Sequence, residues 1–395
     1  LWITASCDFT PFDHTVTSAG EDVFLNEKSG GIALITTSRV AYDEPNFNMN
    51  GILLEQLFKR RADGRRDTLG EELMGMKNGY LSCLNRCFVL IGDPALTLSF
   101  PTYGIRVTEI NGKSATEGTV NLRALDRVTI KGEVIGLDST RLTDFNGALT
   151  AVVLDSEKEI TTLNNNRTGH TYTYTDYPNT IHRGNTVVTN GQFTLSFTVP
   201  ADISYSNRNG KMSLYAYDAA QQREANGAYR RYTVGGTATQ IERDTVGPDV
   251  RLLYLNDSTW SEGDKTNETP FFVAHVRDAS GINITGSSVG HDITLTIDNN
   301  PALSYNLNSY YADRTDVQGE GVVRFSIPRL AEWTHTAEFK VWDIFNNSTT
   351  RTFTFQVEKG LRPSITELRA GPVPARDQVT FYLDHNRPES RMEVT

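Results

Sequence analysis

Up to about residue 100 the apolar positions alternate between two spacings, and beyond it they keep to one. The runs "LWITAS" (1–6) and "GGIALITTS" (30–38) are short, continuous and rich in β-branched residues. That pattern predicts strands buried on both faces of a parallel sheet. Between them "TSAGEDVFLNEKSG" carries Glu21 and Asp22 early and Gly30 at its end, which predicts a crossover helix. "NGILLEQLFKRR" (50–61) puts Ile52, Leu53, Leu57 and the Leu54/Phe58 pair on a helical stripe, with a basic end. "TLGEELMGMKNGYL" opens with Thr68 and Glu71 at capping-box spacing. "CFVLIGDPALTL" then reads as one more strand, ended by Gly92-Asp93-Pro94. The unit is βα repeated, so a parallel sheet with further strands before Leu1 is expected.

After "FPTYG" the period becomes two. "TVNLRALDRVTIKGEVIG", "GALTAVVLD", "GQFTLSFTVP" and "GKMSLYAYD" alternate apolar and polar residues between turn signals, ending near "RYTVGGT". A second such set follows "DTVGPDVRLLYLND" and runs to "TRTFTFQVEKG". Both predict antiparallel, immunoglobulin-like sandwiches, without the Cys…Trp…Cys signature of antibody domains. The end, from 361 on, starts a third β unit too short to close a core alone. The expected fold class is therefore α/β plus all-β, in four parts: 1–102, 103–236, 237–360 and 361–395.

Composition narrows the function classes. The chain has 395 residues, 38% of them hydrophobic, and a formal net charge of −10 at pH 7 with both signs interspersed. No apolar run approaches the roughly 18 residues of a membrane-spanning helix. A phosphate-neutralising nucleic-acid binder is excluded as the expectation. The abundance of Gly, Asn, Thr and Tyr suggests a mostly β, exported chain. Three cysteines, Cys7, Cys83 and Cys87, are too few and too odd for a disulfide framework. Cys83 and Cys87 have no neighbouring histidine for zinc and read as partly buried thiols.

Cys7 is the main candidate for chemistry. The end of a strand in a parallel α/β sheet is where such folds place ligands and reacting groups. A thiol there is open to activation by a histidine from an adjacent loop; the alternative is a buried strand cysteine acting as a small hydrophobe. His14 lies seven residues on, as a partner or as a solvated loop residue. Asp8, Asp13, Glu21 and Asp22 make the loop acidic, with helix capping as their default role. Gly92-Asp93-Pro94 reads as a turn closed by an Asx bond. Asp278 with Ser280, and Asp257, Glu262 and Asp264, offer oxygens for a structural calcium without EF-hand spacing, or are polar turns. Trp260, Tyr310, Tyr311 and Trp333 read as sandwich packing, or as the exposed patch of an adhesin.

The strand that ends in "TASCDF", the helix after it, "GGIALITTSR" and "FVLIGDPALTL" together resemble the C-terminal half of a gingipain-family cysteine peptidase domain. "FKVWDIFNNS", "GHDITLTID" and "GPVPARDQVTFYL" are similar to a branch of that family, the surface sortases of the type IX secretion system. Val373 stands where the usual C-terminal pattern has Asn. The resemblance implies the C-terminal half of a caspase-like α/β domain, then two immunoglobulin-like sandwiches and the start of a C-terminal β domain. It implies an endopeptidase and transpeptidase at the bacterial cell surface, associated with the outer membrane. Such an enzyme removes C-terminal sorting domains from secreted cargo and passes the new carboxyl end to an anionic lipopolysaccharide. An outer-membrane β-barrel would be its partner, and no cofactor would be required. Cys7 matches the nucleophile, and the general base is a histidine before it, in a His-Gly motif that Leu1–Ser6 do not contain. The alternative is a non-catalytic surface protein whose sandwiches dock an outer-membrane partner or cargo.

Overall fold

The computed structural model describes residues 1–26, 29–61, 65–80, 86–165, 167–241, 244–286, 290–313, 319–361, 365–371 and 380–385. It divides into two compact units, Leu1–Phe100 and Pro101–Thr395.

In the first unit, β1 (Trp2–Ile3), β2 (Leu34–Thr37) and β3 (Phe88–Ile91) form one sheet in that order. β1 and β2 are parallel, with Trp2 opposite Leu34, and α1 (Ala19–Leu25) joins them. Ser18 and Glu21 close a capping box at its start, so the acids predicted for its first turn are cap and dipole partners. β3 departs from the expectation: it runs antiparallel to β2, Leu34 opposite Ile91. Two helices, α2 (Asp43–Leu57) and α3 (Leu69–Gly79), separate these strands. The chain therefore traverses the sheet once more than a single crossover would and re-enters it reversed.

α2 begins seven residues before the apolar stripe that signals it. Pro45 sits in its first turn, where a missing N–H costs nothing, beside Asp43 and Glu44. Its buried face is Asn46, Met49, Asn50, Leu53 and Leu57, whereas Leu54 and Phe58 are exposed. Asn50 Nδ2 donates to Asn46 O and Oδ1 at 2.8 and 2.7 Å, which lets two amides lie on an inward face. α3 carries the Thr68/Glu71 capping box, and its first N–H groups reach the turn after β3: Leu69 to Leu96 O and Gly70 to Pro94 O, both 2.9 Å. The core gathers Ile35, Met49, Leu53, Leu57, Met76 and Phe88.

Gly92 opens that turn at φ +132°, and a Cβ there would stand 2.9 Å from the Ala33 Cβ. Gly92→Ala is accordingly expected to destabilise the first unit by about 1–3 kcal/mol, read as a lower urea midpoint.

In the second unit, strands from 103 to 229 form a ring. In order they are Arg223–Tyr229, Lys211–Asp218, Gly147–Leu154, Thr180–Thr189, Gln192–Thr198, Arg127–Ile135 and Tyr103–Ile110. Tyr103–Ile110 returns to the first strand through Ala225 opposite Tyr103 and Asn226 opposite Gly104. Only two residue pairs make that closure, and only two join Thr180–Thr189 to Gln192–Thr198. The result is a flattened barrel, two sheets linked at both corners, and linking removes edges that would otherwise template aggregation. Period-two burial along Arg127–Ile135 and Gln192–Thr198 matches the sequence pattern. Val120–Ala124 and Tyr232–Thr237 pair parallel as a further layer, and the buried Tyr232 donates to Leu154 O at 2.7 Å.

Residues 249–357 make two facing sheets. One has Asp249–Leu255, Phe271–Arg277, Glu320–Ser326 and Tyr311–Asp313; the other Lys265–Thr266, Ser348–Val357, Thr334–Trp342, Thr294–Ile297 and Ser304–Asn306. Their inner faces meet at Phe272, whose ring lies 5.2 Å from Phe339 and 6.1 Å from Phe353. Ile365–Gly371 pairs antiparallel with Thr380–His385; Val373 lies outside the described residues. Among the described residues no helix is long and apolar enough to cross a membrane, which says nothing about strands of a β-barrel.

Candidate active site and neighbouring polar clusters

Cys7 lies in the loop after β1, exposed to solvent. That loop is laid along β2 and its continuation by a series of hydrogen bonds. Thr4 N–H donates to Ile35 O, Asp8 N–H to Arg39 O and Thr10 N–H to Thr37 O at 2.9–3.3 Å. Thr37 Oγ1 donates to Ser6 O, and Thr4 Oγ1 to Thr36 Oγ1 at 2.7 Å. Gly20 in α1 packs so tightly on Thr10 that any side chain there would collide with it. Asp8, immediately after the cysteine, takes φ +46°, a left-handed conformation that Asp tolerates better than most residues.

The thiol itself is tied to the loop after β2. Cys7 Sγ donates to Ala41 O at 2.9 Å and accepts from Ala41 N–H at 3.4 Å. The backbone N–H of Cys7 has no hydrogen bond among the described residues. An exposed sulfur beside an unengaged backbone donor can attack a carbonyl carbon and hold the oxyanion that results. Sequence reasoning found Cys7 but missed Thr36, Thr37, Arg39 and Ala41 as its supports. Their signal was there in "LITTSRVA", the carboxyl end of the adjacent strand.

The other predicted residues fall elsewhere. No hydrogen bond joins the His14 ring to Cys7 among the described residues; His14 is exposed and its backbone N–H donates to Pro11 O. Asp13 pairs with Arg39, Nη1 to Oδ1 2.9 Å, and that hydrogen bond holds its carboxyl below the usual range. Cys87 is a half-buried thiol, and Cys83 lies outside the described residues. Asp93 Oδ1 accepts from Ala95 N–H at 2.8 Å, the Asx bond expected of that turn.

In the second unit, Asp278 is joined by two acids the sequence reading did not connect with it. Carboxylate oxygens of Asp244, Asp278 and Asp343 all lie within 4.8 Å of one another, with Asp278 and Asp343 buried. Burial pushes both of those carboxyls up, and the neighbouring acids add to it. Ser280 Oγ donates to Asp278 Oδ1 at 2.5 Å and so buttresses the acid. Asp257, Glu262 and Asp264 form no such group among the described residues; Asp257 and Asp264 accept turn N–H groups. Trp260 packs edge-on against Phe353 and Tyr311 is buried, while Tyr310 and Trp333 are exposed.

A cavity of about 430 Å³ lies between the barrel and the sandwich within this unit. His182 stacks on Phe197 there, ring centroids 4.4 Å apart, with its Nε2 buried. Burial lowers its pKa to about 4 from 6.5. The unfolded chain thus takes up a proton before the folded one as pH falls. Relative to His182→Phe, the wild type is expected to lose stability between about pH 6.5 and 4, by on the order of 2–3 kcal/mol. Asp313, which burial pushes the other way, is common to both proteins. Parallel denaturant titrations at several pH values measure the difference.

Residues 1–99 match the family model of peptidase family C25. No curated protein matches the chain. Among solved structures, dimeric latent PorU from Porphyromonas gingivalis is 39% identical over 84% of this chain and 32% of its own, with a TM-score of 0.43. The Arg-specific cysteine proteinase gingipain R is 13% identical over 59% of this chain and 44% of its own, TM-score 0.24. The complex of RgpB pro- and mature domains from Porphyromonas gingivalis is 13% identical over 58% and 44%, TM-score 0.23. The chain thus spans about a third of the length of the PorU chain it matches.

Proposed function

We propose, from a first unit that matches peptidase family C25 and a chain 39% identical to PorU, that Cys7 is the nucleophile of a gingipain-like cysteine endopeptidase and sortase. The observation that carries this reading is the placement of Cys7. It is an exposed thiol at the open end of the parallel pair β1–β2, inside the matched stretch, beside its own unengaged N–H.

On this reading an upstream histidine takes the thiol proton, and the Cys7 thiolate attacks the scissile carbonyl. The Cys7 N–H donates to the oxyanion, and collapse expels the amine of the C-terminal sorting domain. Water resolves the thioester to an acid, or an amine resolves it to a new amide. The cargo is a secreted protein of the type IX system, the amine belongs to an anionic lipopolysaccharide, and the enzyme works at the outer-membrane surface beside a β-barrel partner. The regions 103–236 and 237–360 serve as immunoglobulin-like modules, and 361–395 begins a further β domain. Leu1–Ser6 contain no histidine, so residues 1–395 by themselves are expected to bind but not to turn over.

The test uses a polypeptide that also carries the upstream His-Gly motif, a cargo with its sorting domain, and a small primary amine. Mass spectrometry should find both acid and amine-capped cargo, and neither after Cys7 is alkylated. Cargo that binds but is not cleaved even by the unmodified protein would favour a surface protein that only docks cargo or an outer-membrane partner, and cleavage that survives alkylation would remove Cys7 as the nucleophile.

A structural calcium belongs to the same reading, with Asp244, Asp278 and Asp343 supplying oxygens. Millimolar calcium is expected to raise the unfolding temperature over that in EDTA, and Asp343→Asn to abolish the difference. If no ion binds, the same substitution relieves repulsion between buried carboxylates and raises stability in EDTA and calcium alike.

A further inference from the structure

We propose that Thr37 is a positioning residue for the cleavage: its hydroxyl fixes the Ser6–Cys7 peptide so that the Cys7 N–H is held out to the reacting carbonyl. The role rests on the peptidase reading of Cys7. Thr37 ends β2 and is fully buried. A hydroxyl in such a place is costly unless it is bonded, and a valine would suit a buried strand as well. The bond it makes runs across to the loop after β1: Thr37 Oγ1 donates to Ser6 O.

One hydrogen bond on that carbonyl sets the direction of two groups. Ser6 C=O and Cys7 N–H share a peptide plane, and in a trans peptide they point in opposite directions. With the oxygen turned to Thr37, the N–H of Cys7 turns away from β2, to the exposed side of the loop, where it has no partner among the described residues. The sulfur is fixed separately, by Ala41 O at 2.9 Å and Ala41 N–H at 3.4 Å. Nucleophile and oxyanion donor thus have different anchors, Ala41 for the one and Thr37 for the other.

The rest of the loop does not depend on this hydroxyl. Thr4 N–H to Ile35 O, Asp8 N–H to Arg39 O and Thr10 N–H to Thr37 O hold it on both sides of Cys7, and all three are backbone bonds. Without Oγ1 the peptide between Ser6 and Cys7 is free to rock between those anchors. The cost falls on one step. As the Cys7 thiolate adds to the scissile carbonyl, the C–S bond forms and the C=O π pair moves onto oxygen, and the N–H must already be aimed there. Binding of cargo and simple displacement chemistry at the sulfur develop no oxyanion and do not call on it.

Thr37→Val keeps the branched shape and removes the donor. In a polypeptide carrying the upstream His-Gly motif it is expected to lower kcat for cargo cleavage about 10- to 100-fold, with KM within about threefold; outright loss of such a donor costs roughly 100- to 1,000-fold. Alkylation of Cys7 by iodoacetamide, a displacement without an oxyanion, should keep its rate and pH profile. Thr37→Ser, which keeps the hydroxyl, should retain most of kcat. If circular dichroism shows Thr37→Val unfolded, Thr37→Ala carries the same comparison. A kcat within about threefold of the wild type, where Cys7→Ala abolishes cleavage, would overturn the Thr37 role alone. So would a parallel fall in cleavage and in iodoacetamide reactivity, which means a displaced loop, or a Thr37→Ser as slow as Thr37→Val. Cleavage that persists in Cys7→Ala would overturn the peptidase reading, and this role with it.

Discussion

Cys7→Ala is expected to lower cargo processing at least about 1,000-fold in a polypeptide carrying the upstream histidine, with cargo affinity kept within a few-fold. Removal of a covalent nucleophile deletes the acylation step, and residual rates then come from substrate binding and oxyanion stabilisation alone. The substitution should be structurally mild. Cys7 is exposed, its Sγ hydrogen-bonds only with the Ala41 backbone among the described residues, and the loop is held by Thr36, Thr37 and Arg39 without it. An unchanged unfolding temperature together with lost processing separates chemistry from folding. A Cys7→Ala protein that still processes cargo within tenfold of the wild type would remove the nucleophile role.

Phe272→Ala carries the largest expected cost in stability. The ring is fully buried at the meeting of the two sandwich sheets, against Phe339 and Phe353. Deleting it forfeits the transfer energy of an aromatic side chain and leaves a cavity that β-sheets on both sides cannot close, about 3–5 kcal/mol. Chemical denaturation should show the loss, and a change under about 1 kcal/mol would mean the two sheets do not share this core.

The strands of the second unit were legible because a sheet with one wet face must alternate. "GQFTLSFTVP" and "HTAEFKVWD" read inward and outward in the order their burial shows. What the pattern did not reveal is how those strands close. The barrel's corner between Tyr103–Ile110 and Arg223–Tyr229 rests on two parallel residue pairs, and pairing at such distance leaves no trace in local periodicity. In the first unit the antiparallel β3 was hidden for a related reason: a strand's direction depends on how many times the chain crosses before it. The misjudged face of α2 has a different cause. Asn46 and Asn50 satisfy one another and so behave as interior residues, while Leu54 and Phe58 face outward.

Site residues divide in the same way. Cys7 was legible from its position at the end of an apolar run. Asp244 and Asp343 were not, because they reach Asp278 from distant turns. Chemistry assembled from one segment shows in sequence, whereas chemistry assembled by tertiary contact does not.

The role of Cys7 is decided by exposing a polypeptide that carries the upstream His-Gly motif to a peptidyl acyloxymethyl ketone, a reagent that alkylates activated cysteines, and mapping the adduct by peptide mass spectrometry. One equivalent is expected on Cys7 with Cys83 and Cys87 unmodified, and no adduct after Cys7→Ala. An adduct on Cys83 or Cys87 instead, or a Cys7 that reacts no faster folded than in denaturant, would contradict that role.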